Sequence, residues 1–115
     1  MKKRVSIRKF KRVKSQRKAL LNSLANNLFL KGKIKTTEAK AKELKSFSEK
    51  LLTKAKKGDL ASRRALLKSL SPSVVKDLVE KTALKYKDKK GGYTRVIRLG
   101  QRVSDGAFMA FIELV

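Results

Sequence analysis

Residues 91–115 read GGYTRVIRLGQRVSDGAFMAFIELV, and they decide the fold class because the apolar periodicity changes here. Tyr93, Arg95, Ile97 and Leu99 alternate with Thr94, Val96 and Arg98, the two-residue repeat of a strand. Residues 100–106 begin and end on glycine and form a turn. Ala107 to Leu114 is then almost continuously apolar, as in a strand covered on both faces. Two such runs joined by a seven-residue loop predict an antiparallel hairpin. Its second strand is expected to lie centrally, flanked by another strand and covered by helices.

Upstream of Lys87 the repeat is helical. Leu20, Leu24 and Leu28, with Leu21, Ala25 and Phe29 beside them, predict a first helix from about Ser15, a possible N-cap, to Leu30. Gly32 suits its left-handed end, and a short extended piece with Ile34 inward follows at 33–36. Thr37 caps a second helix whose buried face is Leu44, Phe47, Leu51, Leu52 and Ala55, with Gly58 ending it. Asp59 caps a third helix bearing Ala61, Ala65, Leu66 and Leu70. Ser71-Pro72 opens a fourth, with Val75, Leu78, Val79 and Thr82 inward. Four helices and a small sheet make a two-layer α+β domain at 15–115.

The remaining residues, 1–14, show no helical period and read as a basic arm that orders on its partner. The plain alternative is a tail without specific contacts. Arm and following segment hold Lys2, Lys3, Arg4, Arg8, Lys9, Lys11, Arg12, Lys14, Arg17, Lys18, Lys31, Lys33 and Lys35, with no acid before Glu38. The whole chain of 115 residues has 32 Lys and Arg against 9 Asp and Glu, a net charge of +23. Such a body repels itself, and an anionic partner relieves the repulsion. Neutralising phosphates also releases counterions, which makes nucleic acid the leading partner class and an anionic membrane the second.

Other chemistries are poorly supplied. Cysteine and histidine are both absent, which removes disulfides, thiolate ligands, cysteine nucleophiles and the commonest general base. No cofactor is called for. Asp77 and Glu80 share a helix face, each near a lysine, and read as a solvated surface. Gly91-Gly92 lacks the further residues of a phosphate-cradling loop. No apolar run reaches the roughly 18 residues of a membrane span, and the basic start lacks the apolar stretch of a signal peptide. An organelle presequence fits no better, because its basic residues would be too dense.

The positive signals are distributed. Arg63-Arg64 either pin a phosphate or are simply exposed. Arg95, Arg98 and Arg102 ride on the hairpin, where arginine can fork onto phosphate or stack on a base. Tyr93 either stacks likewise or is a core tyrosine. Aromatics are 6% and mostly fall on apolar stripes, so a stacking platform is poorly supported and backbone and shape recognition is favoured. A DNA-compacting protein and a nucleic-acid enzyme are the competing readings.

Three runs, LKGKIKTTEAKAKELK, LLTKAKKGDLASRRALLK and the C-terminal GGYTRVIRLGQRVSDGAFMAFIELV, carry a further signal. With the opening RKFKRVKSQRKALLNSLANNL, they make the chain similar over essentially its whole length to the bacterial large-subunit ribosomal protein family numbered seventeen. The resemblance implies a helix, a strand, three helices and two strands, hence a three-stranded sheet. It implies a non-catalytic, cytoplasmic, structural constituent of the large ribosomal subunit, bound to 23S rRNA beside neighbouring ribosomal proteins near the polypeptide exit region. Carried over by residue, Arg4, Arg8, Arg12, Arg17 and Lys18 lie in the arm and first helix. Lys35 precedes Thr36 and Thr37, which match the family's paired threonines, and Arg63-Arg64 match its paired arginines. Gln16 and Lys31 stand where many members carry histidine, and no polar tail follows Val115.

Overall fold

A computed structural model describes residues 14–115. The order of elements is α1 (Lys14–Lys31), β1 (Lys33–Thr37), α2 (Glu38–Lys57), α3 (Leu60–Leu67), α4 (Pro72–Asp77), a π-helical turn (Leu78–Thr82), α5 (Ala83–Lys85), β2 (Thr94–Gln101) and β3 (Phe108–Leu114). The expected α+β architecture is present: helix, strand, helices, then two strands. The three strands form one antiparallel sheet in the order β1-β3-β2, so the most apolar strand is the central one.

Register sorts the two faces of the sheet. Ile34, Ile112 and Val96 lie opposite one another, as do Thr36, Ala110 and Arg98, and these alternate with the rows Lys33–Glu113–Arg95 and Lys35–Phe111–Ile97. The first set belongs to the helix-covered side. Ala110 and Ile112 there are fully buried and pack with Leu28 of α1, Leu44 and Leu52 of α2, Leu66 of α3 and Leu78 in one core. The second set faces away from the helices, and Ile97 and Leu99 are 39% and 44% exposed. The pairing slips between Arg98 and Gly100, a bulge placed where Gly100 takes φ +95°. Gly100 and Gln101 therefore belong to β2 rather than to the loop expected from Gly100 onward, and the turn begins at Arg102.

The helix boundaries follow local chemistry. Thr37 Oγ1 accepts from the backbone N–H of Lys40 at 3.4 Å, and Glu38 occupies the positive end of α2. Gly58, at φ +66°, closes α2 in the left-handed conformation, and Asp59 Oδ1 at once caps α3 by accepting from the Ser62 N–H at 2.8 Å. The Ser62 side chain first, and this backbone N–H second, hold the Asp59 carboxyl below its ordinary range. Ser48 sits fully buried in α2 with its hydroxyl donated to the Lys45 carbonyl at 3.1 Å.

Four expectations need correction. Ser15 does not cap α1, because Lys14 is already helical and Ser15 lies inside the first turn. The rest of the proposed arm lies outside the described residues. The deepest row of α1 is Leu21, Ala25 and Leu28 rather than Leu20, Leu24 and Leu28. On α3, Ser62 is buried and Ala61 exposed. The fourth helix is not uniform: the Ala83 N–H reaches back to the Leu78 carbonyl, an i→i+5 bond that inserts one residue into the turn. This advances the buried stripe by one, so Ala83 and Tyr86 continue it instead of Thr82.

Candidate nucleic-acid interface

The residues singled out from sequence do not converge on one spot. Among the described ones, a first group lies on the sheet, with Lys35, Arg98 and Arg102 toward the end where α2 begins and Arg95 toward the opposite end. Lys35 is exposed on the uncovered face, while Thr36 is buried on the helix side and Thr37 is spent on the α2 cap. Arg98 is exposed at its head but lies 3.6 Å from Glu38, which also meets Lys42 at 3.4 Å. Arg102 forks onto Asp105 with two bonds of 2.9 and 2.8 Å. The fork holds the Asp105 carboxyl down to about 2 and raises the Arg102 guanidinium. Arg95 shares Glu113 with Lys33, which lies 3.9 Å from the same carboxylate. Register explains this trio, because Lys33, Glu113 and Arg95 stand side by side across the three strands. Lys33 also sits over the Phe111 ring at 4.2 Å, covering the aromatic on the open face.

A second group lies on the helices. Lys14, Arg17 and Lys18 occupy the first two turns of α1, before its first buried residue, Leu21. On α3, Arg63 is 3.7 Å from Glu80, whereas Arg64 is exposed and in no ion pair among the described residues.

Tyr93 resolves to a core residue. Its side chain is 1% exposed, its ring meets Tyr86 edge-on at 5.4 Å, and its hydroxyl donates to the Lys89 carbonyl at 3.1 Å. A base cannot stack on a ring already enclosed, so Tyr93 is removed from the candidate contacts. Tyr86 is buried as well and donates to the Val115 carbonyl at 2.6 Å, burial pushing its hydroxyl pKa up.

What remains is a surface that can bind anions. Its arginines are largely tethered to acids of the same chain, and its lysines largely are not. Exposed ion pairs are worth only about 0–1 kcal/mol each, so a phosphate can displace a carboxylate at little cost. Among the described residues no three His, Cys, Asp or Glu side chains are placed to hold a metal ion. No described helix is long and apolar enough to cross a membrane.

Known proteins resemble this chain. The chain matches the family described as Ribosomal protein L17 over residues 20–115, which takes in α1 from its second turn, the whole sheet and every other helix. It belongs to the ribosomal protein L17 family. Proteins called large ribosomal subunit protein bL17 are similar along nearly their full length. That of Thermoanaerobacter pseudethanolicus is 51% identical over 109 residues, covering 94% of this chain and 97% of the relative. That of Natranaerobius thermophilus is 50% identical over 112 residues, covering 96% and 99%. In Oenococcus oeni the counterpart is 45% identical over 127 residues, covering 94% and 97%. As a member of the L17 family the protein is a structural component of the ribosome and not an enzyme. Of the 19 positive charges that follow Lys35, those of Arg95, Arg98 and Arg102 were legible as a cluster on the hairpin. The internal acid partners of Arg95 and Arg98, Glu113 and Glu38, were not, because partners across strands or between a strand and a helix carry no sequence spacing of their own, whereas Asp105 lies only three residues after Arg102.

Proposed function

We propose that this L17 family member is a constituent of the large ribosomal subunit, in the cytoplasm, and that it stabilises folded 23S rRNA through contacts to phosphate and shape. The arm residues Lys2, Lys3, Arg4, Arg8, Lys9, Lys11 and Arg12 lead into Lys14, Arg17 and Lys18 and supply the main grip. Lys35, Arg63, Arg64, Arg95, Arg98 and Arg102 add contacts from the domain, with Thr37 shaping the bend between β1 and α2. The observation that carries this reading is the net charge of +23, what remains after nine acids are set against 32 basic side chains. Lysine outnumbers arginine, which favours point-charge contact with phosphate over bidentate reading of bases.

The test is association of the full chain with purified large subunits and with 23S rRNA. It is expected to co-sediment with large subunits in moderate salt. Some 6–10 phosphate contacts imply an affinity loss of about 10³–10⁵ between 50 and 200 mM salt. Absence from purified subunits, or binding to duplex DNA as tight as to structured RNA at matched salt, overturns the proposal.

A further inference from the structure

The end of the molecule remote from the hairpin turn holds a lysine cluster that the reading above does not use. The last turns of α2 carry Lys50, Lys54 and Lys57, and the segment after α5 packs against them. Lys56 makes that packing: its ammonium lies 5.0 Å from the centre of the Tyr93 ring, 2.9 Å from the Tyr93 hydroxyl, and donates to the Lys89 carbonyl. Tyr93 is buried, so the loop is anchored at its far end while Lys87 and Lys90 stay exposed. Two shallow hollows mark the seam. One, of about 300 Å³, is lined by Lys50, Lys90, Gly91, Ser46 and Thr53, with Tyr93 and the carboxylate-bearing Glu49 on its wall. The other, of about 260 Å³, runs past Gly58 to Lys87.

Positive charge here outnumbers the acids. Lys50, Lys54, Lys57, Lys85, Lys87 and Lys90 are all exposed, and none is in an ion pair among the described residues. Three acids lie nearby: Glu49 accepts from the Thr94 hydroxyl at 3.1 Å, Asp59 caps α3 and also feels the charge of Lys57, and Asp88 is in no ion pair among the described residues. Lysines in the last turn of a helix are ordinarily explained by its dipole. That accounts for Lys54, Lys56 and Lys57, but Lys87 and Lys90 lie outside any helix.

We infer that this lysine cluster is a second phosphate-binding face, which holds an RNA segment different from the one met at the hairpin end. The inference rests on the rRNA-binding reading and deepens it. Separation follows from α2, whose 20 residues span about 30 Å. Arg98 is paired to Glu38 at the first residue of α2, and the lysine cluster surrounds the last. The ligand chemistry follows from composition. No arginine occurs between Lys18 and Ser62 or between Ala65 and Thr94, so the cluster offers point charges without planar forks. Its two nearby tyrosines are buried, and Leu84 is the one exposed large apolar side chain lining either hollow. An RNA backbone fits such a surface. A docked protein segment would find almost no apolar anchor there.

The test compares the full-length protein with a K54Q/K57Q/K87Q/K90Q variant for binding to 23S rRNA across a salt series. The variant is expected to keep the wild-type melting transition and to bind at least about tenfold more weakly at low salt. Its log–log salt slope should be shallower by about 3, at 0.7–0.9 per lost phosphate contact. Unchanged affinity and slope overturn the inference while leaving the rRNA-binding reading intact. Failure of the wild type to bind rRNA sinks that reading instead, and this one with it. Should the quadruple variant lose its melting transition, K54Q/K57Q and K87Q/K90Q separately carry the same expectation at half the slope change. A Lys90→Cys variant, in a chain that has no other cysteine, carries a photo-crosslinker into assembled subunits. Crosslinks to rRNA are expected, and crosslinks to protein alone overturn the inference.

Discussion

The two ends of α2 carry similar positive charge and handle it in opposite ways. At the N-terminal end, Arg98 and Lys42 meet Glu38, and Arg102 in the adjacent turn is forked onto Asp105. At the C-terminal end the exposed lysines form no ion pair among the described residues, and the one that is held, Lys56, is held by a carbonyl and a buried tyrosine. Internal pairing fixes geometry, which suits arginines that must present a fork in one direction. Unpaired lysines keep their mobility and their full charge, which suits a surface that follows a phosphate backbone without reading it. The same chain thus combines a shaped charge at one end with a diffuse one at the other.

The largest effect should come from removing the scaffold of the diffuse end. Tyr93→Ala empties a fully buried ring and cuts the anchor of the 87–92 loop, and is expected to lower stability by about 3–5 kcal/mol in denaturant unfolding. Tyr93→Phe keeps the ring and loses the hydroxyl that receives Lys56, so it should cost about 1 kcal/mol. Equal losses for the two variants would mean that the hydroxyl, and not the packing, holds this end together. Next in size is Gly58→Ala. The closest atoms to an added methyl are 3.9 Å away, so space is available, but φ +66° is a left-handed conformation that alanine adopts poorly. A loss of about 1 kcal/mol in melting experiments is expected, with α2 frayed at the lysines.

The difference between the ends was only half legible beforehand. The runs KAKK at 54–57 and KDKK at 87–90 are plain in the sequence. That they meet depends on Lys56 and Tyr93, 37 residues apart, and on a π turn that rephases the fourth helix so that Tyr86 points inward. Neither follows from a 3.6-residue repeat. The hairpin, the central place of β3, the Gly58 and Asp59 caps and the bend at Thr37 were legible, because each rests on a local preference of backbone or side chain. Tyr93 was ambiguous for a physical reason: an alternating strand does not say which face the helices cover, and Tyr93 lies just before β2 begins. The internal partners of Arg95 and Arg98 were hidden likewise, since Glu113 is paired through register and Glu38 through the packing of a helix on a sheet.

The smallest effect expected is at the shaped end, and it is one of pH. Asp105 titrates at about 2 against an ordinary 3.8, chiefly because Arg102 donates to its carboxylate and secondly because the Ala107 N–H does. A carboxyl whose folded value lies below its unfolded one stabilises the fold above the unfolded value and ceases to do so as pH falls through the folded one. The contribution of Asp105 is therefore whole above pH 4 and fades between about 4 and 2. Carbon-detected NMR titration should give a midpoint near 2 for Asp105, moving up toward 3.8 in Arg102→Gln but not fully, because the Ala107 N–H remains at 3.2 Å. The side chains are about half exposed and screened by solvent, so the melting temperature above pH 5 should scarcely change. An Asp105 midpoint that ignores Arg102→Gln would show that the fork does not persist in solution. Arg102 would then be as mobile as the lysines at the other end, and the contrast between the two ends would be lost at this residue.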